Sequence, residues 1–145
     1  MTTKKSSESY IPNLNAEDNI ITKKEIKKCL EKTNPYFLNA VIIRTLPNSE
    51  EKKRKNYMKE NSCFFSIEAI SYLVSLGVKH LLVDTPSVDR LFDDGHLTAH
   101  NIFWETEKKK FNPKSRNKTI TEMIYVADSI NDGQYLLNLQ IPPFI

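Results

Sequence analysis

The sequence predicts an α/β domain, and three features of it carry that prediction. Ala40-Val41-Ile42-Ile43-Arg44-Thr45 and His80-Leu81-Leu82-Val83-Asp84 are short apolar runs ended by turn or polar residues, the pattern of buried strands. Between them, Ile67, Ile70, Leu73 and Val74 recur at helical spacing. Ser66 stands where a helix N-cap is needed and Gly77 where the helix stops. Two parallel neighbouring strands need a crossover of this length, so strand, helix and strand read as one parallel βαβ pair.

The remaining elements follow in chain order. Residues 1–19 are polar and aperiodic and read as a tail or irregular connection, which leaves 20–145 as the domain. Thr22-Lys23-Lys24-Glu25 is a capping box, in which Thr22 accepts from the third helical amide and Glu25 reaches back. The helix after it is expected over residues 23 to 32, with Ile26, Cys29 and Leu30 on its inner face. Cys29 and Cys63 have no metal-ligand spacing and read as small core residues. Ser49 to Ser62 holds five Lys or Arg and three Glu and reads as an exposed loop. Leu97 to Trp104 is a short amphipathic helix. Glu105 to Lys118 is a second basic loop, and Ile120 to Val126 is an apolar run. Asp132-Gly133 marks a turn, after which Tyr135 to Ile141 alternates as a final strand. The chain closes on the apolar Pro142-Pro143-Phe144-Ile145.

Composition narrows the function classes. At 145 residues, 39% hydrophobic and 27% charged, the chain is one domain's worth with material for a core. A net charge of +3 is far from that of a dedicated nucleic-acid binder. The basic clusters Glu51-Lys52-Lys53-Arg54-Lys55 and Lys108-Lys109-Lys110 are diluted by Glu50, Glu60, Glu105 and Glu107, so no nucleic-acid partner is expected. No apolar run approaches the roughly 20 residues of a membrane span. Met1 to Tyr10 lacks the apolar stretch of a signal peptide, and two cysteines form no disulfide framework. A cytoplasmic protein without a membrane partner is expected.

The reactive side chains gather between Asp84 and Glu122: Asp84, Asp89, Asp93, Asp94, His96, His100 and Glu122. The loop from Asp84 to Asp89 leaves a strand at its carboxyl end, where open α/β sheets collect function. Histidine with carboxylates suits a divalent metal such as zinc or manganese. His96 and His100, four apart, would share a face if both were helical. The plainer reading puts His96 on a loop beside Gly95 and packs His100 under Trp104. Asp93-Asp94-Gly95 reads as a turn. Glu122, inside an apolar run, needs an exposed edge or a partner.

Gly77-Val78-Lys79-His80-Leu81-Leu82-Val83-Asp84-Thr85-Pro86-Ser87-Val88-Asp89, then Leu97-Thr98-Ala99-His100, then Thr119-Ile120-Thr121-Glu122-Met123-Ile124, resemble the later half of the cyclase family of metal-dependent hydrolases, the family of the kynurenine formamidases (arylformamidases). The resemblance covers about residues 20 to 145. It implies a swivelling β/β/α fold, and it places His100 and Glu122 at a zinc or manganese centre as metal ligands and catalytic groups. Asp84, Thr85, Pro86, Ser87 and Asp89 would shape the pocket wall. The implied reaction is hydrolysis of a small-molecule amide, N-formylkynurenine or a relative, to formate and amine. The family's early H-x-G-T-H-x-D-x-P segment has no counterpart, since the three histidines are His80, His96 and His100. The fold is therefore expected to be incomplete on its N-terminal side, with two metal ligands at most and little or no activity in the isolated chain. The alternative is a non-catalytic remnant or interaction module whose open sheet edges pair with another chain, as a homo-oligomer or with a complementing segment. Phe103, Trp104 and Phe111 would serve a substrate as a stacking wall, although ordinary core packing is the simpler role.

Overall fold

A computed structural model describes residues 7–106 and 110–140. In chain order the elements are β1 (Ile20–Ile21), α1 (Lys23–Leu30), β2 (Ala40–Ile43), β3 (Phe64–Phe65), α2 (Ile67–Ser75), β4 (His80–Val83), α3 (Thr98–Phe103) and β5 (Thr119–Thr121). Short 3-10 turns lie at Pro35–Phe37, Glu50–Arg54 and Pro113–Ser115. The main sheet has the order β2-β4-β5 and is parallel throughout, with Ala40, His80 and Thr119 in register. A second, two-stranded parallel sheet pairs β1 with β3. The α/β class and the βαβ pair stand as the sequence predicts.

Local signals set the helix starts. Thr22 accepts from the Glu25 amide while the Glu25 carboxylate accepts from the Thr22 amide, so the capping box forms in full. Ser66 caps α2 by accepting from the Ala69 amide. One face of the sheet carries the core. Val41, Leu81 and Val83 pack with Phe65, Ala69, Ile70 and Leu73 under α2, and Phe103 of α3 joins them. Each large side chain fully buried in this way contributes roughly 1.5–3 kcal/mol.

Several expectations need correction. β2 is an edge strand rather than a fully buried one, and Ile42, on the face away from α2, is 45% exposed. Cys29 is exposed: α1 lasts eight residues, buries Ile26, and presents Cys29 to an open cleft along β2. Cys63 is half-buried against the core. Residues 135–140 join no strand, and Leu136 is 99% exposed; alternation makes a strand only where a sheet edge receives it. Ile141 and Pro142 to Ile145 lie outside the described residues, as do Lys108 and Lys109 of the second basic cluster and residues 1–6 of the expected tail. The described part of that N-terminal segment has no regular structure, yet it is fastened to the domain. Tyr10 is buried, Ser9 bonds Glu68, and Asp18 pairs with Arg90. The loop after β2 is also docked, because Lys52 reaches into the protein.

Candidate functional site

Strand β4 delivers the Asp84-to-Asp89 loop at its carboxyl end, and the two aspartates do different work. Asp84 turns toward β2. Its carboxylate accepts from the Thr45 amide (2.9 Å) and hydroxyl (3.0 Å), and from the Lys52 ammonium (2.8 Å). Lys52 also donates to the Thr45 carbonyl at 2.6 Å. The side chain of Asp84 is 1% exposed, so this is a buried pair with its hydrogen bonds filled. It ties two strand ends together and meets neither His100 nor Glu122. Pro86 and Ser87 are half-buried, and the Ser87 hydroxyl accepts from the Asp89 amide. Thr85 accepts from the Met123 amide through its carbonyl, and its own hydroxyl is buried without a partner.

Asp89 turns the other way. One carboxylate oxygen accepts from the Tyr10 hydroxyl (2.7 Å) and the Ala99 amide (2.5 Å). The other accepts from the His100 amide (3.2 Å) and lies 2.6 Å from His100 Nδ1. The carboxylate thus caps the first turn of α3, which has no side-chain cap of its own. The turn before it is built by Asp93, whose carboxylate accepts from the Gly95 and Leu97 amides. It brings Leu97 into the left-handed region, at φ 49°. On the opposite side the chain leaves β5 through Glu122 and a left-handed Met123, at φ 57°. Left-handed non-glycine residues are strained and collect at functional sites, and here they flank the same side chains. Glu122 is steadied by the Val88 amide, which donates to its Oε1 at 2.8 Å. That oxygen lies 3.5 Å from His100 Nε2.

His100 and Glu122 are therefore brought together from α3 and the end of β5, and Asp89 stands behind the histidine. His96 is exposed on the preceding loop, and His100 packs on Trp104 with ring centroids 5.2 Å apart, both as the plainer reading expects. Phe103 is core and Phe111 is exposed, so Trp104 alone of the three aromatics touches the histidine. Burial disfavours the charged imidazole, but the Asp89 hydrogen bond and the charges of Asp89 and Glu122 outweigh it, so the His100 pKa is raised. Burial likewise disfavours the Asp89 carboxylate. The hydrogen bonds from His100, Tyr10 and two backbone amides outweigh that too, and its pKa is lowered.

As metal donors, His100 Nε2 and Glu122 Oε1 are of the right chemical type, and a carboxylate that accepts from Nδ1 is the usual support for a ligating histidine. They fit two positions of a divalent cation's shell. Among the described residues no group of three His, Cys, Asp or Glu is placed to hold one, because Asp89 spends its oxygens on Nδ1 and the amides. Two groups passed unnoticed in the sequence. Tyr10 lay in the presumed tail, and Lys52 lay in a charge run that looked solvated. Neither leaves a local signal, since their partners are 79 and 32 residues away.

A cleft of about 540 Å³ lies elsewhere, along β2, lined by Ile26, Leu30, Ile42, Ile130 and Tyr135 among others. Among the described residues no helix is long and apolar enough to cross a membrane. No curated protein and no solved structure matches the chain. The family described as Putative cyclase matches residues 6–90. The match spans Tyr10, β1 to β4 and the Asp84-to-Asp89 loop, and ends before His100 and Glu122. With more than half of the sequence matched, including the loop that carries Asp89, this chain belongs to the cyclase family.

Proposed function

We propose that this chain carries the histidine–glutamate half of a cyclase-family hydrolase site acting on a small amide of the aryl formamide class, N-formylkynurenine or a relative. The observation that supports it is the facing pair of His100 Nε2 and Glu122 Oε1, 3.5 Å apart, with Nδ1 held by Asp89. In its neutral form the imidazole offers a bare Nε2 that takes a proton from an attacking water. The imidazolium so formed lies between two carboxylates and later gives its proton to the leaving amine. Water adds to the formyl carbon, the C–N bond breaks, and formate and the amine leave. Glu122, fixed by the Val88 amide, orients the water against His100. With a divalent cation, zinc or manganese, held by His100 Nε2 and Glu122, that nitrogen would no longer be the base, and the ion would supply carbonyl polarisation and a more acidic water in its place. Catalytic zinc ordinarily takes three protein ligands, so the chain alone is expected to be a weak catalyst.

The test is hydrolysis of N-formyl aryl amides by the pure chain, without metal and with excess zinc or manganese. The expected outcome is little turnover alone and a metal-dependent rise that both His100→Ala and Glu122→Gln abolish. A wild type indistinguishable from His100→Ala under every metal condition overturns the hydrolase reading.

One observation favours a second reading, an interaction module that pairs with another chain. Among the described residues β2 is paired on one side only, beside an apolar cleft, and residues 135–140 are a strand-like segment that joins no sheet. An edge strand with a free row of backbone groups is a template for pairing.

A further inference from the structure

We infer that Tyr10 and Asp89 are a positioning pair for His100, so that the irregular segment before β1 is part of the site; the functional side of this rests on the hydrolase reading above. An ionised carboxylate only accepts hydrogen bonds. With Asp89 Oδ2 2.6 Å from His100 Nδ1, the proton of the neutral imidazole sits on Nδ1, and Nε2 is left bare toward Glu122. That choice of tautomer holds only while the carboxylate stays in place. Asp89 has no room to turn: it is 2% exposed, and each oxygen already takes two bonds, from Tyr10 and Ala99 on one side and from the His100 amide and ring on the other.

Tyr10 is what completes that set from outside α3. Its hydroxyl donates to Asp89 and accepts from the Arg90 amide at 3.0 Å. Its ring is fixed edge-on to Phe64, with centroids 4.7 Å apart, and lies under the Arg90 guanidinium. The flanking segment is anchored independently. The Thr98 hydroxyl at the start of α3 donates to the Ile11 carbonyl at 2.7 Å, Arg90 bonds the Asn13 carbonyl, and Ser9 bonds Glu68. The phenol therefore reaches Asp89 from a rigid strap and fixes the carboxylate that fixes the histidine.

The experiment is ¹H–¹⁵N NMR of the full chain with labelled histidine, at alkaline pH where the ring is neutral, on the wild type, Tyr10→Phe and Asp89→Asn. Wild type is expected to show a downfield proton on His100 Nδ1 and a bare Nε2. Tyr10→Phe should move that proton upfield with the fold intact by circular dichroism. Asp89→Asn should lose the signal and mix the two tautomers. Where Asp89→Asn does not fold, Tyr10→Phe decides. A wild-type proton on Nε2, or a Nδ1 proton unmoved in Tyr10→Phe, overturns the inference. Amide hydrolysis is read separately. Where the chain has metal-dependent turnover, Tyr10→Phe should lower kcat several-fold with KM unchanged. The NMR result stands or falls without that activity, so failure of the hydrolase reading is told apart from failure of the positioning pair.

Discussion

At the scale of single residues, the Asp89–His100 pair gives stability a pH dependence of definite sign. The His100 pKa is raised in the fold, so its contribution is whole below the ordinary value of 6.5 and is lost as pH rises through the raised value. The Asp89 pKa is lowered, so its contribution is whole above the ordinary 3.8 and is lost as pH falls through the lowered value. Thermal melts should therefore give a higher Tm near about pH 5.5 than near about pH 8.5, and His100→Gln should flatten that alkaline decline. An unchanged decline in the variant would show that the pair does not cause it. Lys52 supplies a second prediction. Lys52→Ala leaves Asp84, 1% exposed at its side chain, with Thr45 as its only partner. Removing one member of a buried pair costs about 3 kcal/mol, to be read as a lower midpoint in urea unfolding. The sequence groups Asp84, Asp89, His100 and Glu122, whereas the two aspartates turn to opposite sides of their loop and Asp84 leaves the group for Thr45 and Lys52. The backbone between them decides that, and no residue type announces it.

At the scale of elements, caps and apolar runs were legible because they act over three or four residues. The Thr22–Glu25 box and the Ser66 cap form as written. Thr22→Ala should cost about 1 kcal/mol, measured as a fall in Tm with the far-ultraviolet spectrum retained. The left-handed Met123 makes a different forecast. Its side chain is mostly exposed, and a non-glycine residue in that region pays about 1–2 kcal/mol of strain. Met123→Gly should leave stability unchanged or slightly raised, whereas Met123→Val should lower it by more than 1 kcal/mol, roughly. Illegible elements were those whose fate depends on a neighbour. The alternating residues 135–140 carry strand chemistry but join no sheet among the described residues. Cys29 sits exposed on α1, which buries Ile26.

At the scale of the whole molecule, the α/β class and the order of β2, α2 and β4 were legible, whereas the identity of β2 as the edge strand and the fastening of the N-terminal segment were not. Both depend on contacts far apart in sequence. The exposed Ile42 on that edge and the cleft beside it make a surface suited to strand pairing. Light scattering behind a sizing column should show mass rising with concentration. Ile42→Lys, which puts a charge on the edge, should hold the chain monomeric. A monomer at every concentration would remove self-association from the second functional reading.

The fastening of Tyr10 to Asp89 also has a kinetic side. The β2–β4 pairing joins Ala40 to His80, and Asp89, His100 and Glu122 lie closer together in sequence than that, whereas Tyr10 lies 79 residues from Asp89. Loop-closure entropy delays such distant meetings. The core should consolidate first and the segment that carries Tyr10 should dock last, and by the same route that segment should open before the core unravels. Native-state hydrogen exchange is expected to release the Ile67 and Arg90 amides, which are bound to the Ser9 carbonyl and the Tyr10 hydroxyl, through a lower-energy opening than the amides of Leu81 and Leu82 in the central strand.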